Sequence, residues 1–414
     1  MVEAVECSQF LSQTPLYITS LSAIKDRLNA YQETISRYFS QYHIHYAMKA
    51  NSALPLLQHL CQWGSSIEIV SVGELNRALT AGFHPTDIAF SGVGKTQKEI
   101  DKALEVEVGY IHAEHMEELW YLLDHTQDKS SCITIRLNPS AEVETHPYLK
   151  TGALDSKFGI LFEHIQQGFQ DKLKHLSPSE KHKYLIPLRG IHIHLGSQLQ
   201  NPNVYEYVME ECRKLYDFLK SEGAVITHIN LGGGLEVKET GVPHDHSDIK
   251  NYIEFLSKTF KKYFSEEITL HLEPGRSLVA SSSILLTKVL YKKENDAQHK
   301  FIYVDAGMND FPRPSLYHAK HAYVLIPSDL TQMSDKETTY SIVGPVCESG
   351  DVLHPKAQLK DSVCPGDSII FLDVGAYCRS MASFYNLRPI PAEVFCYQGK
   401  LLSSLPAHYA AENE

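Results

Sequence analysis

The chain has 414 residues, 43% of them hydrophobic, enough for two domains with substantial cores. With 38 basic and 50 acidic residues the net charge is −12, which argues against a nucleic-acid-binding surface as the main function. No apolar run is long enough to span a bilayer, and the opening MVEAVECSQF lacks the basic-then-apolar layout of a signal peptide. The eight cysteines (7, 61, 132, 212, 347, 364, 378, 396) include no Cys-x-x-Cys pair and read as reduced thiols. The expectation is a cytoplasmic protein with no membrane and no nucleic-acid partner.

A short apolar segment, Pro15-Leu16-Tyr17-Ile18, precedes a helical pattern over about 20–39. Short apolar runs then alternate with amphipathic stretches. Strands are expected at 43–47, 67–70, 88–91, 109–112, 133–137, 191–195, 227–231 and 268–273. Helices are expected between them at 53–63, 73–81, 96–105, 114–124, 203–221 and 248–264. Eight strands alternating with helices over roughly 230 residues predict a TIM-like (β/α)8 barrel, with a doubly wound open sheet as the runner-up. We place the barrel at 25–277. Beyond it, segments 282–290, 301–305, 340–346, 368–374 and 393–397 are short, β-branched and aromatic, and broken by Gly, Pro and Asp. They predict a C-terminal all-β domain over 278–414, joined by a strand from within 1–24.

Chemistry is expected at the carboxyl ends of the barrel strands. Lys49 follows the first strand, where partial burial would ease its deprotonation and let its amine condense with a carbonyl compound, pyridoxal phosphate included. Phosphate sites in such barrels lie near the loops after strands seven and eight. Those loops are Gly232-Gly233-Gly234 and Glu273-Pro274-Gly275-Arg276, whose glycines bring backbone amides close to an anion. Glu273 could hold a proton on a pyridine nitrogen. Strand six carries His192 and His194 on one face. His194 suits a flat wall against a flat ring, Ser197 offers a hydroxyl to a phosphate, and His192 reads as a satisfied core residue; a third metal ligand at convincing spacing is missing. In the β-domain, Arg313 stands between two prolines, Cys347 and Glu348 share a loop, and Tyr377 ends a strand.

Together the stretches YAMKAN (46–51), FSGVGKT (90–96), NP…THPYLKTG…SKFGI (138–160), HIHLGSQ (192–198), NLGGG (230–234), EPGRS (273–277), MNDFPRPSLY (308–317), GPVCESGD (344–351) and DVGAY (373–377) resemble the fold-type III pyridoxal-phosphate decarboxylases, on the branch that acts on diaminopimelate. The resemblance runs from about Pro15 to about Val394. It implies an alanine-racemase-like fold, pyridoxal 5'-phosphate as cofactor and a homodimer with shared active sites. It implies Lys49 as the cofactor-bearing lysine, His194 against the ring and Glu273 at the ring nitrogen. Ser197, Gly233, Gly234, Gly275, Arg276 and Tyr377 are implied around the phosphate. Arg276, Arg313, Tyr317 and Tyr377 are implied as substrate-binding residues, with Glu348 on the distal amine. Cys347 is the implied proton donor, arriving with Glu348 from the second subunit. Two departures stand out: Glu68 where the family usually has Asp, and Leu235-Glu236 where another glycine is common. Competing readings are a decarboxylase of carboxynorspermidine or another basic amino acid, a racemase, and a catalytically silent regulatory homologue.

Overall fold

The structure, a computed structural model, describes residues 13–409 apart from 127–128, 142–151, 153, 200, 239–240, 242–245, 330 and 332–333. Cys7 and most of the THPYLKTG stretch lie outside the described residues. The chain forms two compact units. One takes the described residues of Met1–Asp26, Val237–Pro243 and Leu278–Glu414; the other takes those of Arg27–Glu236 and His244–Ser277. Among the described residues no helix is long and apolar enough to cross a membrane.

The chain opens with β1 (Leu16–Ser20) and α1 (Leu21–Ile35). The larger unit is a closed parallel barrel of β2 (Tyr42–Ala47), β3 (Ser66–Ile69), β4 (Ile88–Phe90), β5 (Tyr110–Ala113), β6 (Cys132–Asn138), β8 (Leu188–His192), β9 (His228–Asn230) and β10 (Thr269–Leu272). It closes where β10 pairs with β2, and the two-residue β7 (Ile160–Leu161) hangs from β6. Helices α2 (Leu54–Gln62), α3 (Val72–Ala81), α4 (Gln97–Glu105), α5 (Met116–His125), α6 (Phe162–Leu173), α7 (Pro178–Tyr184), α8 (Val204–Glu222) and α9 (Ser247–Tyr263) fill the connections. Their starts are written locally: Ser71 caps α3, and Thr96 with Glu99 forms a capping box on α4.

Among the eight barrel strands, one departs clearly from its expected range. The sixth barrel strand runs Leu188–His192, not 191–195, so His194 lies past its end rather than within it. Gly190 weakens the strand signal there, but it is required: a Cβ on it would collide with the His228 ring.

The barrel interior is unusual in being filled by imidazoles where bulky aliphatics are the norm. His45, His228 and His271 are fully buried, with His43 and Tyr110 beside them. His45 Nε2 lies 3.1 Å from His271 Nδ1, the His228 and His271 rings stack at 4.7 Å, and His228 Nε2 meets Thr134 Oγ1 at 3.0 Å. Burial takes His45 down to about 3 and holds His228 and His271 well below the ordinary histidine value, so all three are neutral near pH 7.

The smaller unit is a nine-stranded mixed sheet. Its main path is β15 (Val352–Lys360), β14 (Glu337–Val343), β12 (Lys300–Val304), β11 (Ser283–Glu294), β1, β17 (Ala392–Tyr397) and β18 (Lys400–Leu405). A branch of β16 (Ser368–Phe371) and β13 (Tyr323–Ile326) leaves from β11. β1 pairs antiparallel with β11 and parallel with β17. Tyr17, Leu285, Val304, Phe311, Ile342 and Phe371 lie in its core.

Candidate active site

The barrel strands end around a cavity of about 420 Å³ lined by Lys49, Glu68, Arg136, His192, His194 and Glu273, with the Ser91–Lys95 turn and Phe158. Lys49 sits in a single 3-10 turn immediately after β2, its side chain 35% exposed. Glu68, at the end of β3, takes its ammonium with both carboxylate oxygens, at 2.8 and 3.0 Å. Sequence reasoning gave Glu68 no role, yet it is the acid that orients this lysine.

Glu273, just past β10, is 5% exposed. Asn230 Nδ2 donates to its Oε1 at 2.7 Å, and the Nε2 atoms of His112 and His192 lie 3.4 and 3.3 Å from Oε1 and Oε2. Burial alone would push the carboxyl up; the two imidazoles outweigh that and keep it well below the ordinary range. His192 is therefore part of the site rather than an isolated core residue. His112 and Asn230 were not singled out from sequence, and nothing local marks them, because their meeting depends on barrel register.

The glycine turn after β9 is built for close approach. Gly232 and Gly234 have φ of +66° and +117°, and Gly233 has no room for a Cβ beside the Glu273 carbonyl. Gly232 N–H donates to Asn230 Oδ1 at 2.9 Å and Gly233 N–H to His194 Nδ1 at 3.2 Å. His194 is held neutral by burial and by the cations of Lys49 and Arg136, so its proton sits on Nε2. Arg276 Nε donates to Ser197 Oγ at 3.1 Å, joining two more expected residues. Gly275 packs on Ala47 and Ala50, where a Cβ would come within 3.0 Å of Ala47 Cβ. Arg136, paired with Glu114 and lying 4.6 Å over the Phe158 ring, completes the cavity wall and was not anticipated.

Five expected residues belong to the β-unit. Arg313 starts the short α10 (Arg313–Tyr317), is 4% exposed, and donates from Nη1 to His321 Nε2 at 2.8 Å; His321 Nδ1 in turn donates to the Leu372 carbonyl at 2.9 Å. Tyr317 is half-buried, and Tyr377 stands at φ +57°. Cys347 and Glu348 are exposed on a loop tied by Asp351, whose carboxylate accepts the amides of Met308 and Val346 at 2.6 and 2.7 Å. The Cys347 amide donates to Asn386 Oδ1 at 2.8 Å.

Residues 21–280 match the pyridoxal binding domain of the pyridoxal-dependent decarboxylases. The chain is 38% identical to the diaminopimelate decarboxylase of Helicobacter pylori over 381 residues, covering 91% of this chain and 89% of that one. The chain belongs to the diaminopimelate decarboxylase family. The family enzyme of Aquifex aeolicus is 36% identical, covering 94% of this chain and 88% of its own. The crystal structure of the Helicobacter pylori diaminopimelate decarboxylase complexed with L-lysine superposes with a TM-score of 0.83 at 34% identity, covering 96% and 95% of the two chains. An arginine decarboxylase from Paramecium bursaria Chlorella virus, 20% identical with a TM-score of 0.78 over 95% of this chain and 98% of that one, shares the fold.

Proposed function

We propose that the chain decarboxylates meso-2,6-diaminoheptanedioate, releasing CO2 and L-lysine in the last step of lysine biosynthesis, with pyridoxal 5'-phosphate as cofactor. The observation that carries this reading is one cavity lined by Lys49, His194 and Glu273 in a chain 38% identical to a diaminopimelate decarboxylase. These residues fit the cofactor by their chemistry: an amine for its aldehyde, a buried carboxylate for its ring nitrogen, and a neutral imidazole for its ring face. When bound, pyridoxal phosphate supplies an electron-poor ring that accepts the electron pair left by departing CO2.

Each residue then has a defined task. Lys49 holds the cofactor aldehyde, and Glu68 keeps its amine pointed into the cavity. Glu273 keeps a proton on the ring nitrogen. Ser197, Gly233, Gly234, Gly275, Arg276 and Tyr377 hold the phosphate; the left-handed backbone of Tyr377 is the kind of strain that collects at ligand sites. Arg276, Arg313, Tyr317 and Tyr377 bind substrate carboxylates, and Glu348 takes the distal amine. Rejection of simpler amino acids follows from leaving those groups unpaired. Cys347 returns a proton to the substrate carbon. Its exposed loop, with Glu348 beside it, suits a homodimer in which each subunit completes the other's site. A biosynthetic role of this kind fits the cytoplasm.

Purified protein with pyridoxal phosphate is expected to form lysine and CO2 in equal amounts from meso-2,6-diaminoheptanedioate and neither product pair from ornithine, arginine or carboxynorspermidine. Turnover of a competitor alone would retain the barrel chemistry and overturn the roles given to Arg313, Tyr317 and Glu348.

A further inference from the structure

The acid assigned to the ring nitrogen is surrounded in a specific way. His112 comes from β5, His192 from β8 and Asn230 from β9, and all three converge on Glu273. The two imidazoles stack nearly parallel, 15° apart with centroids 4.3 Å apart. Among the described residues each has its Nδ1 buried without a hydrogen-bond partner. A doubly protonated ring would leave a charged N–H facing that dry wall, and two such rings would stack like charges. Each ring therefore carries one proton, on Nε2, turned toward the carboxylate: His192 at 3.3 Å from Oε2 and His112 at 3.4 Å from Oε1, while Asn230 Nδ2, 3.4 Å from His112 Nε2, is engaged by its shorter 2.7 Å bond to Oε1. Lys95, the cation on the backbone side of His112, donates to the His112 carbonyl at 2.8 Å and is paired with Glu118 at 2.7 Å. The three ligand-type atoms lie within 4.8 Å of one another, but the rings address different carboxylate oxygens, which suits hydrogen bonding better than a shared cation.

We propose that His112, together with His192, is a positioning residue for the cofactor: the neutral imidazoles keep Glu273 ionised without cancelling its charge, reserving that charge for the ring nitrogen. This rests on the role of Glu273 proposed above. A charged partner at the same place would satisfy the carboxylate and weaken its hold on the ring proton. Neutral donors stabilise the anion and leave its field available.

The test is binding to the apoprotein of pyridoxal phosphate and of deazapyridoxal phosphate, in which the ring nitrogen is replaced by C–H, read as two dissociation constants. His112→Leu is expected to weaken pyridoxal phosphate about tenfold while leaving the deaza compound within about twofold. His112→Gln, whose amide reaches as far as imidazole Nε2, is expected to restore most of the loss. Should His112→Leu not fold, His112→Asn, with its shorter amide, carries the same comparison. Equal weakening of both compounds, or of neither, overturns the proposal. Glu273→Gln separates the two layers of the argument. Discrimination lost there but not in the His112 variants removes the histidine proposal alone. No loss of discrimination in Glu273→Gln removes the ring-nitrogen reading and the proposal with it.

Discussion

Two sets of histidines occupy one barrel and are used differently. In the lower set His45 Nε2 pairs with His271 Nδ1, and His228 turns to Thr134; among the described residues no acid lies within hydrogen-bond reach of these rings. In the upper set His112 and His192 face Glu273. The same side chain, equally buried, is packing material in one layer and electrostatic lining in the next. What separates the layers is the neighbouring carboxylate. Three outcomes would break or sharpen this contrast.

The largest effect belongs above both layers. Lys49→Ala is expected to lower kcat by about 10³-fold or more, because among the described residues the only other amine lining the cavity is Lys95, which is buried in its pair with Glu118. The variant is also expected to lose the visible absorption that a lysine-bound cofactor gives. Full turnover by Lys49→Ala would dismantle the site as described, whatever the histidines do.

The alternation that predicts the barrel is legible because each strand is largely buried and carries aliphatic residues even where histidines alternate with them, and most expected strands overlap an observed one closely. Besides the two-residue β7, the strands that escaped, β13, β15 and β18, are all edges of the β-sheet. An edge strand is half-solvated, and β15 also carries Pro355 and two lysines, so its apolar signal is thin. The site shows the same division. NLGGG and EPGRS announce themselves through Gly and Pro, whereas Glu68, His112, Arg136 and Asn230 read as ordinary strand residues until the barrel closes. Which strand residues share a layer is a matter of register across neighbours, and no local pattern encodes it.

The next effect concerns acid. The unfolded chain takes up protons on histidine near pH 6.5, whereas the folded barrel refuses them: His45 to about 3, His112 to about 4, and His194, His228 and His271 also far down. Their folded values are depressed, so the unfolded state binds more protons. Stability is therefore fully present above pH 6.5 and lost as pH falls below it. Each such histidine contributes a slope of about 1.4 kcal/mol per pH unit inside its window. Glu74 and Asp310, both held up to about 7, and Asp351, also pushed up by burial, act in the opposite sense, but among the described residues they are three against seven once His43 and His354, likewise pushed down by burial, join the five. Urea titrations of the apoprotein are expected to show stability falling steeply from pH 6.5 to 5, before carboxylates contribute. A flat profile over that range would mean the interior histidines take up protons as readily in the folded barrel as in the unfolded chain, and the contrast between layers would collapse.

The smallest effect isolates the lower layer. His271→Phe leaves His45 Nε2 without its 3.1 Å partner, and an unpaired buried nitrogen costs about 1–3 kcal/mol. Replacing both rings, His45→Leu with His271→Phe, removes the polar pair entirely and is expected to recover most of that loss, since two apolar groups leave nothing unsatisfied. A double-mutant cycle by chemical denaturation reads the coupling directly. In both variants kcat on meso-2,6-diaminoheptanedioate is expected to stay within about twofold, because neither ring touches Glu273, whereas the His112 and His192 layer acts on the cofactor. If the lower-layer variants lowered cofactor affinity with the selectivity expected of His112→Leu, the interior would be one continuous imidazole network reaching Glu273, and the boundary between packing and electrostatics would have to move down to His45.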